Sequence, residues 1–189
     1  QITQIAATLA FSGIQNNDKI GVVFFSDRIE KYIPPQKGKK HVLAIISEML
    51  KFEPTNRGTN IDNVIRYVSN AQKKRCTTFI ISDFFDKHDY QQSLTIAKSK
   101  HDLVAIQVYD PREMTLPDVG FLKVRDAETG TERWIDTSSR KVRDLYSSWW
   151  TSSNEKMKKA FLHSQVDSIS VSTDEDFVPA LLGLFKKRV

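Results

Sequence analysis

Hydrophobic and polar positions alternate along the chain with two periods, that of an amphipathic helix and that of a buried strand. Apolar residues recur every three to four positions in the first segment, which predicts a helix over residues 2–14. The apolar run 20–25 is rich in strand-forming residues and predicts a buried strand. Residues 28–33 alternate and stop at Pro34 and Pro35, which predicts an edge strand paired with 20–25 in a hairpin.

Helical and strand periods continue to alternate through the middle of the chain. They predict helices at 39–50, 60–73 and 88–100 and strands at 77–81 and 103–109. Two parallel strands need a crossover between them, so the segment 77–109 predicts a β-α-β unit. This pattern is typical of a mostly parallel sheet with helices on both faces.

The C-terminal part of the chain predicts a hairpin, a strand and a closing helix. Strands at 120–124 and 131–135 flank Glu128-Thr129-Gly130, which predicts a hairpin inserted near 120–136 beside the main sheet. Residues 166–171 predict the last strand, and residues 174–187 predict a closing helix with basic residues at its end.

A long amphipathic stretch precedes that last strand. Its apolar residues lie close to one helical stripe, and they are Val142, Leu145, Tyr146, Trp149, Met157, Ala160 and Phe161. We therefore expect Trp149 to pack in the core. Ser152 and Glu155 form a capping-box pattern, so the stretch is either one helix or two helices with a break near 151–154.

The composition is that of one globular domain, which we assign to residues 1–189. Hydrophobic residues make up 40% and charged residues 27% of the chain, enough to bury a core without disulfides. Cys76 is the only cysteine, which excludes a disulfide framework and a cysteine zinc cluster. The net charge is +5, but basic residues are scattered, so we expect no nucleic-acid partner. No apolar run reaches the length of a membrane span.

Two strand-end loops carry the residues best suited to binding a metal ion. Asp83 follows the strand at 77–81, and open α/β sheets bind ligands at the carboxyl ends of such strands. Thr59 follows Gly58 just before a helix, and its hydroxyl and the Asp83 carboxylate are hard oxygen donors that suit magnesium, calcium or manganese. Alternatively, Thr59 with Asp62 caps the helix and Asp83 caps a helix or ties a turn. These residues alone leave both interpretations open.

Several segments together resemble the von Willebrand factor A superfamily, namely residues 21–27, the hairpin to Pro35, Gly58-Thr59-Asn60 and residues 79–84. More narrowly, the chain resembles a bacterial domain-of-unknown-function family that is often encoded beside MoxR-type ATPases. The segments that carry this second likeness are Tyr32-Ile33-Pro34-Pro35-Gln36-Lys37-Gly38 and Ser82-Asp83-Phe84-Phe85-Asp86. The resemblance covers the whole chain.

The resemblance implies a three-layer, Rossmann-like sheet and a metal-ion-dependent adhesion site that binds magnesium through three loops. Thr59 matches the second loop and Asp83 the third, with loop support from Gly58, Asn60, Ser82 and Asp86. It also implies a cytoplasmic, non-enzymatic module in which an acidic group of a partner protein completes the ion's coordination. A MoxR-type ATPase is the expected partner.

The chain departs from this pattern at the first loop. The superfamily's Asp-x-Ser-x-Ser motif is absent, and Asp136-Thr137-Ser138-Ser139-Arg140 is a near miss that we interpret as a helix cap. The resemblance places the motif on a central strand upstream of Gln1. We therefore expect weak magnesium binding. We also expect the strands at 20–26 and 76–82 to close on each other, or a strand from an upstream segment or a second copy to fill the gap, the last giving a dimer.

Two other functional classes remain as alternatives. Asp83, Asp86 and His88 lie close together in sequence and would form a metal-dependent hydrolase site if their side chains converged. Trp149 and Trp150 lie among basic residues, an arrangement that also occurs in nucleic-acid-binding domains.

Overall fold

The computed structural model describes residues 1–56, 58–125 and 130–188. Within these ranges there are six helices and seven strands. The helices are α1 Ile2–Gln15, α2 Lys39–Lys51, α3 Ile61–Ala71, α4 Gln91–Lys100, α5 Arg140–His163 and α6 Val178–Lys186. The strands are β1 Ile20–Phe25, β2 Ile29–Gln36, β3 Thr77–Ser82, β4 Asp102–Tyr109, β5 Phe121–Arg125, β6 Glu132–Asp136 and β7 Asp167–Ser172. A short 3-10 helix, Pro111–Glu113, follows β4.

The architecture is mixed α/β, with one parallel sheet and two antiparallel hairpins. The parallel sheet has the strand order β3-β4-β7. The predicted β-α-β unit is confirmed, because β3 pairs in parallel with β4 and α4 lies between them in the chain. Both predicted hairpins are confirmed as the antiparallel pairs β1-β2 and β5-β6. The predicted turn residues Glu128 and Thr129 lie outside the described residues.

Helices pack on both faces of the parallel sheet, because successive strand residues point to opposite faces. On one face, Ile80, Leu103 and Ala105 join a core formed with α3, α4 and α5. On the other face, Val104 and Ile106 join a core formed with α1 and α6. The prediction of helices on both faces is confirmed for this sheet.

The strand β2 continues through the two prolines at which the sequence predicted it to stop. It reaches Gln36, which pairs with Ile20. In the described sheets β2 pairs only with β1, and an edge strand tolerates Pro34 and Pro35 because one side of its backbone needs no donor.

Two predicted helix starts were wrong by several residues. The helix α4 begins at Gln91 instead of residue 88, and the Asp89 carboxylate accepts a hydrogen bond from the Gln91 backbone N–H at 3.0 Å. The helix α6 begins at Val178 instead of residue 174, and the Val178 backbone N–H donates to the Asp176 carboxylate at 3.0 Å. Each acidic residue thus ends a loop that the apolar pattern had assigned to the helix.

The helix α5 is continuous, so the alternative of a break near 151–154 is wrong. Asn154, the last residue of the proposed break, accepts a hydrogen bond at 3.2 Å from Gln107, a buried side chain of β4. The prediction that Trp149 lies in the core is also wrong. Trp150 is buried at 7% exposure, whereas Trp149 is 54% exposed and stacks on Phe85.

A cleft of about 1790 Å³ lies along β1 and β3, and all six residues of each strand line it. In the described part of the chain, no hydrogen-bonded strand pairing joins β1 to β3. Of the alternatives for this gap, the one in which these two strands close on each other is therefore wrong. We call this space the β1–β3 cleft.

Candidate functional site

The carboxyl ends of β1 and β3 meet at the N-terminus of α3. The Asn60 backbone N–H donates to the carbonyl of Ser26, the residue after β1, at 3.0 Å. The next backbone N–H, that of Ile61, donates to the carboxylate of Asp86 in the loop after β3, at 2.6 Å. Thr59 and Asp83 both line this end of the β1–β3 cleft. We call the region around Ser26, Thr59 and Asp83 the carboxyl edge.

The cap of α3 is Asn60 and not Thr59, so the alternative that Thr59 caps this helix is wrong. The Asn60 side chain accepts a hydrogen bond from the Asn63 backbone N–H at 2.9 Å. The Asp62 carboxylate instead contacts Ser93 and Arg66. Among the residues that the structure describes, no partner is found for the half-buried Thr59 hydroxyl. That hydroxyl is therefore available to a ligand at the carboxyl edge.

The segment before Thr59 is held against the β1-β2 hairpin by Glu30. Its carboxylate, 6% exposed, accepts hydrogen bonds from the Ser26 hydroxyl at 2.7 Å and the Asn56 backbone N–H at 3.1 Å. The bonds from Ser26, Thr55 and Asn56 lower the pKa of Glu30 to about 2, so it stays ionised and accepts from all of them at neutral pH. Glu30 was not predictable from the sequence, because a single acidic residue in an alternating strand forms no motif.

Asp27 lies beside this segment, in the turn between β1 and β2. Its carboxylate accepts hydrogen bonds from the Asn56 amide at 2.9 Å and 3.2 Å. Gly58 lies so close that a Cβ added there would sit 3.3 Å from the Asp27 Cβ. A larger residue at position 58 would push Asp27 or the Thr59 loop away, which accounts for the glycine.

The loop after β3 holds Asp83 at the end of its strand by an unusual backbone conformation. Phe84 has a φ of 62°, a left-handed value that is rare for a bulky residue. Its ring is 4% exposed and packs edge-to-face on Phe161 with centroids 4.9 Å apart, which offsets the strain. The Asp83 carboxylate accepts hydrogen bonds from the Ser82 hydroxyl and the Phe85 backbone N–H, both at 3.2 Å. Asp83 thus ties its own turn while remaining solvent-exposed at the cleft.

Asp86 links the Asp83 loop to the Thr59 loop. Its side chain is completely buried, and one carboxylate oxygen accepts from Ile61 at the start of α3. The other oxygen accepts from the backbone N–H of His88 at 2.9 Å and contacts the His88 ring nitrogen at 2.7 Å. A carboxylate at the N-terminus of a helix is also stabilised by the helix dipole. Asp86 therefore fixes the relative position of the two candidate metal-binding loops.

Negative charge accumulates at the carboxyl edge beyond the residues that the sequence predicted. Burial, followed by the charges of Asp83 and Asp110, raises the pKa of Glu113 above its usual value. Asp110 follows β4 as Asp83 follows β3, and this repeated strand-end position was the signal that the sequence analysis overlooked. The Asp110 carboxylate is itself paired with Arg112 at 2.6 Å, which lowers the pKa of Asp110.

A family model described as "Protein of unknown function DUF58" matches residues 1–156. The chain belongs to the DUF58 family. This agrees with the sequence-based expectation of a bacterial family of unknown function.

Bacterial relatives match this DUF58 chain over most of its length. An uncharacterized protein of Mycobacterium tuberculosis, Rv1480, is 24% identical over 186 residues, which cover 97% of this chain and 58% of the relative. An uncharacterized protein of Mycobacterium avium, MAV169, is 28% identical over 129 residues, covering 68% of this chain and 76% of the relative. The chain thus spans less than two thirds of the length of the first of these relatives.

Two solved structures share the fold of the DUF58 chain. One is an aerotolerance-related membrane protein from Bacteroides fragilis, with a TM-score of 0.63, 14% identity, and coverage of 98% of this chain and 86% of that protein. The other is the conserved hypothetical protein BatB from Bacteroides thetaiotaomicron, with a TM-score of 0.56, 11% identity, and coverage of 98% and 87%. At these identities the likeness concerns the fold alone. In the DUF58 chain, the described residues contain no helix long and apolar enough to cross a membrane.

The predicted hydrolase residues of the DUF58 chain do not assemble into a metal cluster. Asp86 and His88 bond to each other, and Asp86 is also engaged by α3. No group of three or more His, Cys, Asp or Glu side chains in the described ranges is arranged to hold a metal ion. Thr59 and Asp83 would supply only two oxygen ligands, fewer than the six that magnesium requires.

The near-miss motif at Asp136 is used locally, although not as the side-chain cap that the sequence predicted. The Asp136 carboxylate accepts hydrogen bonds from the backbone N–H of Ser138 at 3.0 Å and from its hydroxyl at 2.5 Å. The residue that caps α5 is Ser139, and its side chain makes no capping bond. Asp136 therefore closes the turn between β6 and α5. In the chain, this turn comes well after the Thr59 and Asp83 loops.

Proposed function

We propose that this DUF58 chain is a non-enzymatic protein-interaction module in which a divalent ion, magnesium, mediates contact with a partner. Thr59 and Asp83 contribute oxygen ligands, and an acidic group of the partner contributes another. The observation that supports the proposal is the position of the Asp86 carboxylate. Asp86 belongs to the loop of Asp83, and its carboxylate accepts a hydrogen bond from the backbone N–H of Ile61, two residues after Thr59. One buried side chain thus fixes both candidate loops at one edge.

The small number of protein ligands at the site favours an ion whose coordination is shared with a partner protein over a catalytic metal ion. Magnesium takes six oxygen ligands in near-ideal octahedral geometry and keeps several waters when the protein supplies few. With ligands from Thr59 and Asp83 alone, the ion retains exchangeable positions that a partner carboxylate can occupy. The Glu113 carboxylate adds negative charge near Asp83, which attracts a cation before the partner arrives.

The likeness to the von Willebrand A superfamily supplies the finer part of this proposal. It is supported by the parallel β3-β4-β7 sheet with helices on both faces and by the strand-end positions of Thr59 and Asp83. On this proposal the complete fold is a three-layer, Rossmann-like domain and the module acts in the cytoplasm. A MoxR-type ATPase as partner rests on the resemblance of the sequence alone.

Calorimetric titration of the 189-residue chain with magnesium tests this proposal. We expect a dissociation constant of about 1 mM or weaker, because two protein ligands leave most of the coordination to water. The heat should disappear in Asp83→Asn and remain in Asp89→Asn, a residue of the same loop whose carboxylate accepts from the Gln91 backbone N–H at the start of α4. Tight binding by the unmodified chain, or binding that Asp83→Asn leaves unchanged, would contradict the proposed site.

A further inference from the structure

A second cavity lies at the end of the parallel sheet opposite to Asp83. Its volume is about 460 Å³, and its lining residues are Ser69, Gln72, Lys73, Lys100 and His101. These residues belong to the ends of α3 and α4 and to the positions that follow them, so the cavity lies where β3 and β4 begin. Six strand residues span about 20 Å, which separates it from Asp83 at the other end of β3. We call it the amino-edge cavity, and it adjoins the β1–β3 cleft, which Ser69 and His101 also line.

The ring of His101 supplies an unpartnered nitrogen at this cavity. The residue is 2% exposed, and its Nδ1 atom lies 3.5 Å from the Cys76 Sγ atom. Within the described part of the chain, no hydrogen-bond partner is found for the buried Nε2 atom. Burial, followed by the charge of Lys100, lowers the pKa of His101, which keeps the ring neutral near pH 7. When the Cys76 thiol donates to Nδ1, the single proton of the neutral ring lies on Nε2, which is then a donor without an acceptor.

Ser69 supplies a second unpartnered group at the amino-edge cavity. Its Oγ atom is buried and has no hydrogen-bond partner among residues 1–56, 58–125 and 130–188. A serine inside a helix can donate to the carbonyl four positions earlier, and the Ser69 hydroxyl makes no such bond. Roughly nine-tenths of buried polar groups in proteins are paired. Two unpaired groups at one cavity therefore favour a ligand that accepts hydrogen bonds from both.

Two lysines give the amino-edge cavity a positive charge. Lys73 and Lys100 are exposed, and neither ammonium group forms an ion pair with a residue that the structure describes. The neighbouring Asp102 carboxylate does not neutralise them, because it pairs with Arg188 and Lys98. The helices α3 and α4 both end here, and each C-terminus carries roughly half a negative charge. The two lysines thus leave a net charge of about plus one, which favours an anion.

The number of donors at the cavity selects the kind of anion. Two ammonium groups, a hydroxyl and a ring N–H come from separate elements, whereas the Gln72 amide is already bonded to the Tyr32 hydroxyl at 2.7 Å. A phosphate group presents at least three acceptor oxygens in different directions, and a carboxylate presents only two. Hydrogen bonds from charged donors to phosphate are also among the stronger ones. The volume leaves room for an organic group attached to the phosphate.

We propose that the amino-edge cavity binds a phosphate group, which accepts hydrogen bonds from Ser69, Lys73, Lys100 and His101. Two of these donors are buried, so neighbouring side chains must move before the anion contacts them, which lowers the apparent affinity. We therefore expect a dissociation constant of roughly 1–10 mM for inorganic phosphate. This inference does not depend on whether Thr59 and Asp83 bind an ion.

Titration of the 189-residue chain with inorganic phosphate, followed by NMR, tests the proposal. We expect saturable shifts of the His101 ring nitrogens and of the amides of residues 69–73, which sodium chloride at the same ionic strength should not produce. The double variant Lys73→Gln/Lys100→Gln should bind phosphate about tenfold more weakly or worse, because both charged donors are lost. The matched control is Lys74→Gln, which removes a neighbouring exposed charge outside the cavity lining and should weaken binding less than about twofold.

The variant Ser69→Ala separates hydrogen bonding from general charge attraction, because it leaves the net charge unchanged. It should weaken phosphate binding by roughly tenfold through the loss of one hydrogen bond to a charged group. The deleted hydroxyl is buried without a partner, so urea unfolding should show no loss of stability. Phosphate binding that is unaffected by Ser69→Ala would contradict the assigned donor set.

Phosphate could reach the cavity as a soluble group or as a lipid headgroup, and vesicles of phosphatidylglycerol distinguish the two. Perturbation of the same NMR signals by vesicles at a lower phosphate concentration than by the free ion would identify a lipid headgroup. Perturbation by the free ion alone would identify a soluble phosphate. Both results support a phosphate site at this cavity.

Four results would overturn the proposal. Two are the absence of saturable shifts up to about 50 mM phosphate and equal shifts with sodium chloride at the same ionic strength. A third is an equal loss of binding in Lys74→Gln and in the double variant, which would mean that the charge attraction is diffuse. The fourth is a His101 ring with its proton on Nδ1, because Nε2 would then be an acceptor and would repel the anion.

Discussion

The charge of Asp83 reaches beyond its own loop. It helps to raise the pKa of Glu113, after burial and ahead of Asp110, although Glu113 lies thirty positions later in the chain. A raised carboxyl pKa means that the neutral form is favoured in the folded protein. The contribution of Glu113 to stability is therefore full below its usual pKa of about 4.5 and is lost as pH rises through the folded value.

Replacing Asp83 by Asn should lower the pKa of Glu113 toward its usual value, because one of the two like charges disappears. Carboxyl carbon chemical shifts followed by NMR against pH would measure this directly. The substitution Asp89→Asn should leave the titration of Glu113 unchanged, since Asp89 does not contribute to its shift. An unchanged Glu113 titration in Asp83→Asn would show that the two side chains do not interact across the carboxyl edge.

Two neighbouring tryptophans show how an element's orientation depends on a single position. In a helix each residue turns the side chain by about 100°, so adjacent residues can differ greatly in burial. The sequence stripe placed Trp149 inside, but α5 buries Trp150 against Tyr109, with ring centroids 6.3 Å apart. The error arose because the stripe was drawn through Leu145 and Trp149, which are exposed, whereas the buried residues Trp150, Met157 and Phe161 lie on the adjoining face of α5.

Truncating each tryptophan should therefore have very different effects on stability. Trp150→Ala should lower the free energy of unfolding by about 3–5 kcal/mol, the usual cost of removing a buried aromatic side chain. Trp149→Ala should cost about 1 kcal/mol, because it loses mainly the ring contacts with Phe85 and Tyr146. Urea unfolding of the two variants gives both values, and equal costs would refute this orientation of α5.

At the scale of the whole molecule, helices, strands and their local pairing were predictable from the sequence, whereas contacts between distant segments were not. The hairpin β1-β2 and the unit β3-α4-β4 followed from period, prolines and strand propensity, which are local properties. The left-handed Phe84 and the buried carboxylate of Asp86 depend on residues distant in sequence, Phe161 and Ile61. No local pattern encodes such contacts, so the loops could be named from sequence but the way they are held together could not.

The same limit applies to the candidate site. Thr59 and Asp83 were predictable because each follows a strong turn or strand signal. The bonds of Glu30 and the charge of Glu113 were not, since both arise from the folding of separate segments onto the carboxyl edge. We propose that the two loops together present one ion-binding edge, with Thr59 and Asp83 as its ligands.

Manganese relaxation mapping of the 189-residue chain can detect such a shared site, because the paramagnetic ion broadens NMR signals only near where it binds. We expect a trace of manganese to broaden the amide signals of residues 58–60 and 83–86 together. The effect should be lost in Thr59→Val and in Asp83→Asn and kept in His88→Gln. Broadening centred elsewhere, or broadening that survives Thr59→Val and Asp83→Asn but vanishes in His88→Gln, would contradict the account.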